Sequence, residues 1–157
     1  TQVGGLLVFA IAALACAHAA RRGASPWGLL FVAQLGFMAE VLFGLRHRLH
    51  DAAGAVAQAA GWYATRGTLQ VSLLAVALVL GSIGLAAVWH WRPREAHASR
   101  AVFASCIAFA LFAIEAVSLH AIDALMYLRV GPLLLIALLW ATTAAVVTWS
   151  AWRAVRH

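Results

Sequence analysis

The chain has 157 residues, of which 65% are hydrophobic and 10% charged, and its formal charge of +6 arises from eleven arginines and no lysine against five acids. So few polar side chains cannot cover so much apolar surface in water, which excludes a soluble enzyme or binding module and makes lipid the main solvent. No soluble face remains for nucleic acid, and the arginine excess reads as membrane topology and phospholipid contact.

In chain order, the apolar stretch 3–20 predicts a first spanning helix. It ends in the cleavage-like run ALACAHAA but lacks a basic leader, so it reads as a span and not as a cleaved signal peptide. A break at Arg21 to Pro26 precedes a second span over 27–46. The segment RHRLHDAAGAVAQAAGWYATRG is the one long connection, and its alanine-rich middle predicts a short helix at the interface. Further spans are predicted over 68–91, 101–128 and 132–152, each long enough for ~30 Å of hydrocarbon. Pro26, Pro93 and Pro132 fall at or just before helix starts, where a missing N–H does no harm. The expected fold class is therefore all-α integral membrane, a single-domain five-helix transmembrane bundle with one longer outer loop.

Arginines 21, 22, 92, 94, 100, 153 and 156 fall on one side of this arrangement and 46, 48, 66 and 129 on the other. The positive-inside rule then places the N-terminus outside and the C-terminus in the cytoplasm of a bacterial inner membrane. Trp27, Trp89, Trp91, Trp149 and Trp152 gather near the inner ends and Trp62 and Tyr63 in the outer loop, an interfacial belt. Cys16 and Cys106 form neither a metal-spacing motif nor a disulfide framework. There is no internal repeat, phosphate-binding loop or G-x-S-x-G elbow.

The informative residues are ionisable groups inside spans, which cost ~2.5 to 3.5 kcal/mol each at the bilayer centre. Glu40 and Asp123 each lie ~9 Å inside the outer boundary, His120 lies ~4.5 Å deeper and Glu115 ~12 Å deeper than Asp123. At ~100° per residue Glu115, His120, Asp123 and Tyr127 share one side of the fourth helix. Glu40, Gly44, His47 and Asp51 form a stripe on the second helix, provided that helix continues past Arg46. Such groups are tolerated if they pair with one another, with Arg46, Arg48 or Arg129, or with a bound cation or cofactor.

Three chemistries fit. Glu40, His47, His50, Asp51, Glu115, His120 and Asp123 are donors suited to a divalent transition metal such as Zn²⁺, Mn²⁺ or non-haem iron, although no H-E-x-x-H motif is present. His18 with His90, and His47 or His50 with His120, could each sandwich a b-type haem for electron transport, a placement that resembles di-haem membrane cytochromes. Arg46, Arg48 and Arg66, with Trp62 and Tyr63, could hold a lipid head group or another anion. The sequence thus leads to an outward-facing intramembrane site for a metal or redox cofactor, with no catalytic residue assigned. The alternative is a non-catalytic accessory or assembly subunit of a larger membrane complex, or a homo-oligomer, whose polar residues only join helices.

Overall fold

A computed structural model describes residues 2–22, 26–61, 95–117 and 124–156, with isolated positions between 67 and 93. The side chains of Arg46, Leu49, His50, Ala53, Ala57 and Val117 lie outside that description. The described chain is mainly helical, with α1 Gln2–Ala20, α2 Trp27–Phe43, α3 Leu45–Ala59, α4 Ala96–Val117 and α5 Leu135–Arg156. Of the span expected over 68–91 only scattered positions are described, and these are helical.

Three helices, α1, α4 and α5, are long and apolar enough to cross a membrane. At 17 residues, α2 is apolar but shorter. Their outward faces carry large aliphatic side chains, such as Val3, Leu7, Ile11 and Leu14 on α1, each more than half exposed. The buried face of α1 is instead made of Gly5, Phe9, Ala12, Ala13, Cys16 and Ala19. Bulk outside and small residues inside is the arrangement of helices that pack in lipid, where close backbone approach drives association.

Four rings, one from each of α1, α2, α4 and α5, mark the centre of the bundle. Phe37 stacks on Phe112 with centroids 5.5 Å apart, and Phe112 stacks on Trp140 at 5.1 Å. Phe9 lies tilted against Phe37, Phe112 and Trp140 at 5.4, 5.9 and 6.4 Å. Around this layer α1 packs on α2 and α5, and α5 packs on α4. Gly5 makes the tight contact of α1 with both neighbours, since a Cβ there would stand 3.2 Å from Val41 Cγ1 and 3.3 Å from the Trp140 ring.

Below the rings, the Gln34 amide nitrogen of α2 donates to the Ser105 hydroxyl of α4 at 3.0 Å, both groups being buried. The ring stack and this bond advance toward the same end on both helices, so α2 and α4 run parallel. Ser105→Ala would leave the Gln34 amide nitrogen without this acceptor, and a loss of ~1 to 2 kcal/mol is expected in reversible unfolding, at the upper range for interhelical hydrogen bonds in membranes. A loss indistinguishable from zero would mean the amide finds another acceptor. The hydroxyls of Thr142 and Thr148 return to the carbonyls of Leu138 and Ala144, both at 2.8 Å, so they enter the bilayer already bonded.

Element boundaries depart from the sequence expectation at three places. The second helix stops at Phe43 instead of 46, because Gly44 adopts φ 59° and ψ 42°, the left-handed conformation that terminates helices. The helix beginning at Leu45 then fills most of the long connection and leans on α4. The fourth helix starts at Ala96, taking Arg100 into its first turns, where the guanidinium donates to the Ala96 carbonyl and to His97 Nδ1, both at 3.3 Å. Pro132 does not start the last helix. With Gly131, at φ 63°, it forms the two-residue turn of a small hairpin, β1 Arg129–Val130 paired with β2 Leu133–Leu134. The bond from Leu135 N to Leu128 O at 2.9 Å closes the hairpin base, so α5 begins only at Leu135.

Candidate functional site

The candidate site occupies the end of the bundle that carries Gly44 and the hairpin. Glu115 lies one turn beyond Phe112 on α4 and is only 6% exposed. Its Oε1 accepts a hydrogen bond at 3.2 Å from the hydroxyl of Tyr127, which stands in the turn before β1. That bond ties the middle of the bundle to the hairpin. It also satisfies part of a side chain that would otherwise be costly to bury.

Glu40 lies one turn beyond Phe37 on α2 and is half-buried. Because Phe37 and Phe112 stack and their helices run parallel, Glu40 and Glu115 occupy one level above the aromatic layer. The stripe expected to continue from Glu40 through His47 to Asp51 requires an unbroken helix. Gly44 interrupts it, so Glu40 stays in the bundle while His47 and Asp51 sit on exposed positions of α3.

The carbonyls of Val41 and Leu42 lose continuing helical partners at this break. The Gln2 side chain, from the first turn of α1, donates to both at 3.2 and 3.4 Å. Gln2 therefore caps α2 from a neighbouring helix. Neither Gln2 nor the Gln34–Ser105 pair is singled out by motif or charge. The only sequence signal is an isolated amide within an apolar run, which in lipid must find a partner.

Of the other expected site residues, His120 and Asp123 lie outside the described residues, as do Trp62, Tyr63 and Arg66. The side chains of Arg46 and His50 also lie outside, while Arg48 is exposed on α3. Among the described residues, no three His, Cys, Asp or Glu side chains converge as metal ligands. His18 is exposed near the far end of α1, and His90 is exposed as well.

Three tryptophans of the expected aromatic belt are among the described residues. Trp149 and Trp152 of α5 are exposed and pair at 5.2 Å, but Trp27 is a core residue at 1% exposure. Trp27 follows Pro26 directly at the start of α2 and belongs to the buried face of that helix.

No known protein family, curated protein or solved structure matches the chain.

Proposed function

We propose that this chain is a five-span protein of a bacterial cytoplasmic membrane, N-terminus outside, serving as a non-catalytic accessory or assembly subunit of a larger membrane complex. The observation carrying this reading is that buried polar side chains of the bundle bond across elements: Gln34 to Ser105 and Glu115 to Tyr127. Polar groups used this way fix helix register and orientation. The aliphatic outer faces of α1 and α2 leave broad apolar surface for lipid or for a larger subunit.

The test is purification from native membranes in mild detergent, with oxidised and reduced absorption spectra and elemental analysis on one sample. A stoichiometric partner is expected, with neither a Soret band nor a metal at one per chain. A chromophore or a stoichiometric metal that travels with the isolated chain would overturn the proposal.

A second reading, a metal or redox-cofactor site, is favoured by the shared level of Glu40 and Glu115 on adjacent parallel helices. Carboxylates so placed would supply hard oxygen donors, with Tyr127 orienting Glu115. On this reading Glu40→Gln and Glu115→Gln each abolish Zn²⁺ or Mn²⁺ binding in isothermal titration, while His47→Ala on the exposed α3 leaves it unchanged. Equal loss in all three variants would return His47 to the site.

A further inference from the structure

At the opposite end of the bundle, α1 and α5 enclose an apolar groove of about 540 Å³. Its α1 wall runs from Val8 through Ile11 and Ala15 to His18, and its α5 wall from Ala141 through Thr148 to Trp152. From Val8 to His18 is ~15 Å of helix, the depth of one leaflet of a ~30 Å hydrocarbon core. The groove thus starts at mid-bilayer and opens where the helices end.

Its mouth is cationic. Trp149 and Trp152 line the groove, the Arg153 guanidinium lies 5.3 Å from the Trp149 ring centroid, and that of Arg156 lies 3.6 Å from the Trp152 centroid. A guanidinium held over a ring keeps its in-plane N–H donors, which is the fork that binds phosphate. Arg21 and Arg22 follow α1 at this same end. The single described acid near that end is Glu95, exposed before α4.

We propose that the groove is a binding site for one anionic phospholipid, with an acyl chain between α1 and α5 and the head-group phosphate on Arg153 and Arg156. The apolar length fits a single leaflet, and the charge at the mouth selects an anionic over a zwitterionic head group. This site is separate from the Glu40 and Glu115 level, and it stands whether or not the chain is an accessory subunit.

The test is native mass spectrometry of the detergent-solubilised chain titrated with phosphatidylglycerol or phosphatidylcholine. One phosphatidylglycerol is expected to be retained about tenfold more tightly, the factor that ~1.4 kcal/mol gives. Arg153→Gln with Arg156→Gln should reduce phosphatidylglycerol to the phosphatidylcholine level. Ala145→Phe, which fills the groove from an exposed position, should weaken both lipids. Arg129→Gln, exposed in β1 at the other end of the bundle, should change neither.

A second measurement uses only the wild-type chain. In phosphatidylcholine vesicles, a small fraction of brominated-chain phosphatidylglycerol should quench tryptophan fluorescence more than the same fraction of brominated phosphatidylcholine. Equal quenching, or a head-group preference that survives the double arginine variant, would overturn the proposal. So would a two-chain mass that Ala145→Phe converts to one chain, because the groove would then seat a second copy of the protein.

Discussion

Phe112→Ala is expected to destabilise the bundle more than any other single truncation, by ~3 to 5 kcal/mol, the range for removing a buried aromatic ring. Phe112 touches the other three rings of the central layer, at 5.9 Å from Phe9, 5.5 Å from Phe37 and 5.1 Å from Trp140. In lipid the transfer of a ring out of water is not the driving force, so the lower part of that range is expected, from lost dispersion contacts and the cavity left behind. Phe112→Leu keeps most of the volume and should cost less than ~1.5 kcal/mol. Reversible unfolding in mixed micelles reads both values. A Phe112→Ala cost near that of Phe112→Leu would mean that the four rings are not the keystone of the packing.

Gly5→Leu is expected to have the second largest effect, through crowding instead of a void. A Cβ at Gly5 already stands 3.2 Å from Val41 Cγ1 and 3.3 Å from two carbons of Trp140, so a branched side chain must push α1 away from α2 and α5 together. Overpacking of this kind costs ~1 to 3 kcal/mol, and the upper end is expected because both helix contacts open. Gly4 provides the control, since a Cβ there meets nothing within 4 Å and the position is exposed. Gly4→Leu should be neutral within ~0.5 kcal/mol. Comparable losses at both positions would mean that the tight contact at Gly5 does not set the cost, because leucine is a better helix former than glycine. Gly5→Ala should fall between, because its neighbours need yield by only a few tenths of an ångström.

Much of this architecture is legible in the sequence, because apolar runs of membrane length, punctuated by arginine and proline, need little beyond hydropathy to be recognised. The helical character of 3–20, of most of 27–46 and of the last span follows from that alone. Two boundaries escape it for one physical reason. Gly44 lies in a continuous apolar run and reads as a small residue for close helix packing, yet its use is backbone freedom. Pro132 reads as a helix start, and only its pairing with Gly131 in a positive-φ turn reveals the hairpin.

Within the candidate site one pairing is legible. Glu115 and Tyr127 fall on one side of a helical projection, and they do bond, although Tyr127 stands in a turn past the described end of α4. The stripe from Glu40 to Asp51 fails because helical projection carries no information about a single left-handed residue. Gln2 and Ser105 were silent because a lone neutral polar group has no charge or motif to mark it. Their partners are 39 and 71 residues away and become neighbours only when the helices pack.

The left-handed residue at position 44 has a consequence for how the chain opens. Gly44 N still bonds to Glu40 O at 2.8 Å, and its own carbonyl accepts from His47 and Arg48, but Val41 and Leu42 give their carbonyls to Gln2 on α1. The ladder of α2 is therefore anchored to α1, while that of α3 begins afresh. In amide hydrogen exchange the two helices are expected to separate into different cooperative units, with α3 exchanging through its own low-energy opening and α2 only when the α1 contact is released.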